Sequence, residues 1–591
     1  MPTYKAPLRD MRFALYELHG GDGLSKMPVF DNFTRDLIDP VLDEAAKVAE
    51  QVLQPINRSG DEEGCILENG VVRTPKGYKE AYNLFRDGGW PSLAADPAYG
   101  GQGMPNSVKI LMDEMVCSAN LSFGMYPGLT HGAYKALHAY ASDELKQKFL
   151  PKMVDGTWGG TMCLTEPQCG TDLGLLRTKA VPQDDGSYKI SGTKIFISSG
   201  EHDLTENIIH LVLAKLPDAP KGIKGISLFV VPKFLPQDDG TLGHRNGVAV
   251  ASIEHKMGIK ASSTCVLNFD GATGWLVGEP HKGMRAMFTM MNAARLLVGI
   301  QGLGLAEASY QGAVAYAKER LQGRALSGAK YPEKSADPII VHPDVRRTLL
   351  TQRAWIQGCR ALASWAGKAL DESKHHPDRV AREKADDLIS LITPVIKALL
   401  TDMAFDVTNL GMQVLGGHGY IREYGMEQLV RDARITQIYE GTNGIQALDL
   451  VGRKMPAHAG RYLRQVFHPI SNYIAKTIEK EGMAEFIEPL AKVFGRLQQA
   501  TAQVARVGLS KPDEAGAAAT DYLKLMGFTL VAYQWALMAE ISLSKQDDAF
   551  YKAKVATARF FMERLLPQAS AHFQAIMAGG KTMMAFEDAS F

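Results

Sequence analysis

Several features that would mark a specialised chain are missing from this sequence. Its six cysteines form no C-x-x-C pair, which argues against a zinc ribbon and against a disulfide scaffold. Lys plus Arg number 65, as do Asp plus Glu, so no global field would recruit nucleic acid or an anionic membrane. No repeat of fixed period is present. We therefore expect any anionic ligand to be held by local groups.

Long hydrophobic runs are also scarce. The most apolar late stretch, LKLMGFTLVAYQWALMAEI, contains Lys524, Gln534 and Glu540, which leaves it short of the roughly 20 apolar residues that a membrane span needs. It predicts a buried helix, and we expect no membrane span. The first twenty residues carry acids early and no apolar core segment, so they resemble neither a secretory signal nor a transit peptide. We expect a cytoplasmic protein.

What is present divides into segments of different periodicity. At 591 residues the chain should form about three or four domains. After an N-terminal extension over 1–34, helical spacing over 35–158 gives way to short β-branched runs over 159–280, which predict a β-domain of about six to eight strands. Helical spacing returns over 281–453, typical of a bundle, and continues over 454–591. This segregation predicts an α+β architecture.

Two apparent motifs have plainer explanations. Gly302 and Gly304 in GLGLAEASYQG suggest a dinucleotide loop, but a third glycine is missing where Glu307 stands, so helix packing is the better interpretation. His375 and His376 lie in a polar turn without a cysteine or carboxylate cluster at ligand spacing. We therefore predict no metal site.

Two stretches of the β-segment carry more information. In CLTEPQCGTDLG, the turn around Gly170 and Thr171 would leave backbone N–H groups available for a phosphate or a heterocycle edge. An ordinary strand-to-turn connection explains it equally well. In KIFISSG, alternation would place Phe196 and Ser198 on one face of a strand. That stretch alone is also consistent with a plain half-buried strand.

Five longer motifs follow one another along the chain: TMCLTEPQCGTDLGLLRTKA, SGTKIFISSG, EHKMGIKASSTCVLNFDGA, YAKERLQGR and QVLGGHGYIREYGMEQLVRDARITQIYEGTNGIQ. In this order they make the chain resemble the acyl-CoA dehydrogenase family over roughly residues 35–453. The length, the opening YKAPLRDMRFALYEL and the segment after Lys454 resemble a larger subgroup of that family, which includes 3-methylmercaptopropionyl-CoA and long fatty acyl-CoA dehydrogenases.

The resemblance implies α,β-dehydrogenation of an acyl-CoA thioester with FAD as cofactor. Glu440 matches the family's catalytic base, and its backbone N–H would bind the thioester oxygen. The resemblance assigns Tyr439 and Gly441 to the substrate pocket. The neighbouring sequence QIYEGTNGIQ contains no Lys or Arg, and desolvation by substrate and flavin would make such a carboxylate a stronger base.

The resemblance also implies the groups that hold FAD and CoA. The flavin side would be contacted by Leu164, Thr165, Gly170, Thr171, Phe196, Ile197, Ser198, Thr442 and Asn443. A neighbouring subunit would contribute Arg320, Gln322, Gln413, Gly416 and Gly417, so an intact site would need at least a dimer. The acyl-CoA itself would be met by Thr171, Asn292 and Arg295, the last through its planar donors.

This chain departs from the family pattern at a few positions. Thr171 replaces a serine, and Phe196 and Ser198 stand where tryptophan and threonine are common. Asn292 stands where aspartate is usual, which puts one CoA contact in doubt. Gly444 replaces a frequent glutamine, so one adenine contact would be missing.

Alternatives stay open at this point. The substrate is a medium or long fatty acyl-CoA, which we favour slightly, or 3-methylmercaptopropionyl-CoA. The electron acceptor is an electron-transfer flavoprotein, or O₂ if the enzyme is an acyl-CoA oxidase. A non-enzymatic flavin-containing scaffold would need neither Glu440 nor a balanced surface. Since the tail after Lys454 would cover a surface that smaller members use to tetramerise, we expect a homodimer.

Overall fold

The computed structural model describes residues 3–20, 24, 27–237 and 239–591. The chain divides into two compact units, which are described separately. The barrel unit comprises residues 47–104 and 119–297, and the helical unit comprises 1–46, 105–118 and 298–591.

The β-strands in the described residues all belong to the barrel unit. They are β1 Ile66–Glu68, β2 Val71–Arg73, β3 Trp158–Cys163, β4 Lys179–Pro182, β5 Tyr188–Ser198, β6 Asn207–Lys215, β7 Ile226–Pro232, β8 Phe234–Pro236, β9 Leu242–Arg245, β10 Val248–Ile253 and β11 Thr264–Val277.

The α-helices of both units are numbered in chain order. They are α1 Leu8–Arg12, α2 Arg35–Lys47, α3 Asn57–Glu63, α4 Tyr78–Asp87, α5 Asn106–Ala119, α6 Leu121–Tyr140, α7 Asp143–Val154, α8 Gly283–Glu319, α9 Pro343–His375, α10 Arg379–Leu415, α11 Gly417–Tyr420, α12 Met426–Thr436, α13 Asn443–Asp449, α14 Arg461–Thr477, α15 Ala484–Gly508, α16 Pro512–Leu543, α17 Ala549–Phe560, α18 Ala569–Ala578 and α19 Lys581–Met584. π-helical turns cover Phe13–Leu18, Val48–Leu53, Leu450–Lys454 and Phe561–Leu565.

The central sheet closes on itself. β5 pairs antiparallel with β4 and β11, β7 pairs with β11 and β6, and β4 reaches β6 through the single pair Lys179↔Lys215. The result is a ring of five strands, to which β3 is added by pairing with β6 and β10 by pairing with β11. Closure removes exposed strand edges. The seven strands of this sheet confirm the predicted β-domain, and the α+β architecture is confirmed as well.

The barrel unit also contains a hairpin that helical spacing over 35–158 did not predict. β1 and β2 pair antiparallel there. The cause is local: Asn69 and Gly70 both have positive φ, 52° and 75°, the conformation that a two-residue hairpin turn requires and that Asn-Gly adopts readily. A second unpredicted hairpin joins β8 and β9.

Helix ends in the barrel unit are fixed by side-chain caps. Asn120 accepts from the N–H of Phe123 at 3.0 Å at the start of α6, and Ser142 accepts from Leu145 at 3.3 Å at the start of α7. Such caps satisfy N–H groups that have no partner within the helix. α6 then packs on β3. One apolar core lies between these helices and the sheet, and a second lies inside the ring.

In the helical unit, α9 and α10 pack along each other, and the C-terminal segment packs on them. Trp535 of α16 donates from Nε1 to the carbonyl of Ala354 at 3.1 Å. The rings of Trp355 and Phe528 meet edge to face at 5.0 Å. The buried side chains along α16 confirm that the apolar stretch around Gln534 is a buried helix.

Gly302 and Gly304 lie within α8 and serve helix packing, as predicted. A Cβ at Gly302 would lie 2.9 Å from the carbonyl oxygen of Leu400, and one at Gly304 would lie 2.7 Å from the N of Ser118. These contacts need the glycines because the neighbouring backbones approach too closely for a side chain.

Only α10 among the described helices is long and apolar enough to cross a membrane, by length and composition. In its apolar window, 78% of the residues are buried inside the structure.

A cluster of charged side chains is buried within the helical unit. Arg360 donates to Glu114, to Asp10 and, at 2.6 Å, to Glu307. Lys554 donates to the other oxygen of Asp10. Each of the five is at most 6% exposed. The cluster therefore ties α1, α5, α8, α9 and α17 together through paired charges, which burial requires.

Candidate active site

Glu440 lies in the short loop between α12 and α13 of the helical unit and is half-buried. Its φ is 57°, and that of Gly441 is 86°. Two consecutive residues in the left-handed region form a sharp turn, and for glutamate this conformation costs about 1 kcal/mol. The turn persists only because the surrounding groups hold it.

Tyr439 is fixed beside the carboxylate. Its hydroxyl donates to Oε1 of Gln301 on α8. Burial raises the pKa of Tyr439 well above its ordinary value, and the charge of Glu440 raises it further. The tyrosine is therefore a neutral hydrogen-bond donor next to Glu440.

The two ends of the loop are fastened to α10. Gln437 donates to Oδ1 of Asp402 at 2.8 Å, and Asn443 donates to the same oxygen at 2.7 Å. Lys397 in turn donates to Oδ1 of Asn443 at 2.8 Å. The Asn443 side chain is thus engaged with α10.

Gln446 holds the middle of the loop. It is fully buried on α13, and its Nε2 donates to the carbonyl oxygens of Gly441 at 3.0 Å and Glu440 at 3.4 Å. Sequence reasoning missed this residue and also Gln301, Lys397 and Asp402. Gln446 stood within the quoted motif, whereas the other three lie 35 or more positions from the residues they hold.

A second group of predicted residues lies elsewhere on the helical unit. All five are exposed to solvent. At Gly416 and Gly417, the two glycines of the group, no atom lies within 4 Å of the position that a Cβ would take. Tyr316 of α8 and His418 hydrogen-bond at 2.7 Å, which joins the end of α8 to the turn after α10. The residues are Arg320, Gln322, Gln413, Gly416 and Gly417.

In the barrel unit, the turn after β3 is built around Glu166. Its buried carboxylate accepts from Lys194 Nζ at 2.8 Å, Arg177 N at 2.7 Å and Thr178 N at 3.0 Å. Burial alone would raise the pKa of Glu166, but the Lys194 charge and these hydrogen bonds bring it to about 2. Glu166 is therefore a fixed anion, and the turn that follows it is rigidly placed.

The predicted turn residues extend from this anchor. Leu164 and Thr165 are half-buried, and Gly170 and Thr171 are exposed. Ile195 of β5 donates to the carbonyl of Thr165 at 2.9 Å. The turn and the end of β5 are thereby brought together.

At the end of β5 the strand is irregular. Two residues of β5 face one of β11 between the pairs Ile197↔Cys265 and Lys194↔Leu267, which is a β-bulge. Within it Phe196 has φ 57° and is 60% exposed, while Ile197 is buried and Ser198 half-buried. The bulge presents an aromatic face at the surface of the barrel.

These features fit a flat ring ligand with phosphates. Phe196 offers an exposed aromatic surface next to the Thr165 turn. Ser199 has a buried hydroxyl with no hydrogen-bond partner in the part of the chain that the structure describes. Gly170 has open space where a side chain would stand.

Asn292 and Arg295 lie one turn apart on α8, in its barrel-unit part. Arg295 Nη1 lies 3.4 Å from Oδ1 of Asn292. Arg295 is buried, and Asn292 is exposed. The structure thus places these two predicted CoA ligands together.

Comparison with known proteins now defines the class. Four family models match in order: Acyl-CoA dehydrogenase, N-terminal domain, over 39–157; its middle domain over 161–272; its C-terminal domain over 281–455; and Acetyl-CoA dehydrogenase C-terminal like over 470–587. This order defines a flavoprotein dehydrogenase.

Relatives of the same length narrow the assignment. The chain is 44% identical to 3-methylmercaptopropionyl-CoA dehydrogenase of Ruegeria pomeroyi, over 98% of this chain and 99% of that protein. It is 34% identical to the broad-specificity linear acyl-CoA dehydrogenase FadE5 of Mycobacterium tuberculosis, over the full length of both. An acyl-CoA dehydrogenase from Bacillus anthracis, solved with FAD, has the same fold, with a TM-score of 0.76 at 20% identity over 94% of this chain and 90% of that one.

The chain therefore belongs to the acyl-CoA dehydrogenase family and to its larger subgroup. It is an FAD-dependent oxidoreductase that acts on acyl-CoA.

Proposed function

We propose that the protein converts a linear acyl-CoA to the trans-2-enoyl-CoA with Glu440 as the base. The observation that carries this proposal is the strained turn at Glu440 and Gly441, which Gln446 binds directly, in a loop that Gln301 and Asp402 hold through neighbouring residues. Strain maintained by surrounding structure is a feature of functional sites.

The chemistry follows from where the α-proton must go. The Glu440 carboxylate removes that proton, and the Glu440 N–H donates to the thioester oxygen as negative charge develops there. Tyr439 closes the pocket against water. FAD, when bound, accepts the hydride from Cβ.

We propose that the barrel unit holds the flavin through Leu164, Thr165, Gly170, Thr171, Phe196, Ile197 and Ser198. In the barrel unit, Asn292 and Arg295 would bind the CoA nucleotide and Thr171 the substrate. In the helical unit, Gly441 is proposed as a substrate contact and Thr442 and Asn443 as cofactor contacts, Asn443 through its backbone because its side chain is bound to α10.

Two substrate classes have support. A medium or long fatty acyl chain is compatible with the broad specificity for linear acyl-CoA of the Mycobacterium tuberculosis relative. A 3-methylmercaptopropionyl chain is the substrate of the Ruegeria pomeroyi relative, which shares the higher identity. Both chains are linear and differ in length and in one sulfur atom.

Anaerobic bleaching of the flavin absorbance by a panel of acyl-CoAs, from propionyl and 3-methylmercaptopropionyl to palmitoyl, tests the proposal. Rapid bleaching by one class, lost in Glu440→Gln, is the expected result. If every thioester leaves the flavin oxidised, the proposal fails. If Glu440→Gln is reduced as fast as the wild type, Glu440 is not the base.

We also propose a homodimer that delivers electrons to an electron-transfer flavoprotein as part of fatty acid β-oxidation. The exposed group of Arg320, Gln322, Gln413, Gly416 and Gly417 supports a role toward the partner's cofactor. Light scattering should give twice the 64.5 kDa chain mass. Release of H₂O₂ at the rate of enoyl-CoA formation would favour an oxidase instead.

A further inference from the structure

The turn at Glu440 and Gly441 is bound by a side chain that lies outside the turn. Glu440 and Gly441 both have positive φ, and their carbonyl oxygens point to a side chain outside the turn. That side chain is Gln446, whose Nε2 donates to both oxygens, at 3.4 and 3.0 Å. Rotation of the Glu440–Gly441 peptide would break the bond to the Glu440 carbonyl and change the backbone angles at Glu440, on which the direction of its carboxylate depends.

Gln446 is kept at a cost in stability. It is fully buried, and its Oε1 has no hydrogen-bond partner among the described residues. An unsatisfied buried acceptor costs about 1–3 kcal/mol. A leucine of similar size would avoid that cost, so the amide donors must supply something that packing alone does not.

The other fastenings of the loop do not replace it. Asp402 binds Gln437 and Asn443, at the two ends, and Gln301 binds the Tyr439 hydroxyl. None of these bonds involves the backbone of Glu440 or Gly441. Of these side chains, Gln446 is therefore the one that bonds to the backbone of the turn.

We propose that Gln446 is a positioning residue that orients the Glu440 carboxylate toward the acyl thioester. This inference rests on the proposed role of Glu440. Gln446 does not touch the reacting atoms; it acts by fixing the turn, so its loss should affect the chemical step more than the binding of acyl-CoA.

The test compares the FAD-loaded wild type with Gln446→Leu, Glu440→Gln and Gln534→Leu. Gln534 is a matched control because it is also a fully buried glutamine of the helical unit, and neither of its amide atoms has a hydrogen-bond partner in the described ranges. Three quantities are measured: kcat and KM for the best acyl-CoA of the panel, exchange of its α-hydrogens in deuterated water, and backbone amide exchange over 438–446.

For Gln446→Leu we expect kcat to fall about 30- to 100-fold, as for a misplaced catalytic group, with KM within about threefold of the wild type. Exchange of the substrate α-hydrogens should fall in parallel, and the backbone amides of the loop should exchange faster. Gln534→Leu should leave all three unchanged. A Gln446→Leu variant with kcat within about threefold of wild type, beside an inactive Glu440→Gln, would overturn the inference alone. An active Glu440→Gln would overturn the proposed function instead.

If Gln446→Leu does not fold, Gln446→Glu gives an independent test. A protonated carboxyl can donate to the turn, and a carboxylate cannot. We expect the kcat of Gln446→Glu to decline on raising the pH through a range where the wild type is constant. A wild-type kcat and pH profile for this variant would overturn the inference.

Discussion

The two units place their functional residues by different means. In the helical unit, side chains from distant helices hold a loop and a charge cluster, so its site depends on ion pairs and amide contacts across the sequence. In the barrel unit, a bulge of β5 places Phe196, and the buried Glu166–Lys194 pair anchors the turn beside it. The comparison indicates that both units use buried charge, and that the barrel unit adds strand irregularity to expose an aromatic ring.

Breaking the charge cluster should have the largest effect on stability. Arg360→Met leaves Asp10, Glu114 and Glu307 buried without their common guanidinium, and removing one partner of a buried pair costs about 3–5 kcal/mol. Because three carboxylates are affected, we expect the upper end of this range in denaturant unfolding. Arg347→Met, which removes a half-exposed pair with Asp344, should cost less than about 1 kcal/mol. Equal losses in the two variants would refute a special role for the cluster.

The next largest loss of stability should come from acid, which protonates histidines that are buried in both units. Burial lowers the pKa of His202 and His210 in the barrel unit to about 3, and that of His19 in the helical unit to about 4. The unfolded chain takes up these protons near pH 6.5, so this stability is present above pH 6.5 and is lost as the pH falls toward 3–4. At pH 5 each of these buried histidines should lower the free energy of unfolding by about 2 kcal/mol.

Denaturant unfolding at pH 7 and pH 5 measures this loss. His210→Gln should remove about half of the contribution from the barrel unit. An unchanged pH dependence in that variant would contradict the assignment.

The anchor of the barrel unit can be tested with Glu166→Gln. The change leaves Lys194 buried without a carboxylate, which should cost about 3 kcal/mol, and loosens the turn that carries Gly170. FAD should therefore be released more readily, as followed by flavin fluorescence on dilution. The control is Glu279→Gln, whose pair with Lys282 is exposed. Retention of wild-type stability would show that the turn does not need the ion pair.

The smallest effect is expected for Gln534→Leu. Since its buried amide has no hydrogen-bond partner among the described residues, replacing it by an apolar group should be neutral or stabilise the helical unit by up to about 1 kcal/mol. A thermal melt detects the change. A clear loss of stability would mean that the amide is satisfied in solution, by water for example.

Local sequence patterns and tertiary packing determine different features of this protein. The spacing of apolar residues and the turn residues predicted the helical and β segments and the buried helix around Gln534. They also predicted that Gly302 and Gly304 serve helix packing, because all these features depend on local patterns. The same local rule, applied to Asn69 and Gly70, would have found the missed hairpin. Resemblance in five motifs supplied the family, the cofactor and Glu440.

Only the tertiary structure could bring Gln301, Asp402 and Lys397 to the catalytic loop or gather Asp10, Glu114, Glu307 and Lys554 around Arg360. No spacing rule links those positions, since they lie on separate helices whose packing decides which polar groups become neighbours. The sequence therefore determined the elements and pointed to Glu440 as the proposed base, and packing decided which buried partners hold the loop of Glu440 in place.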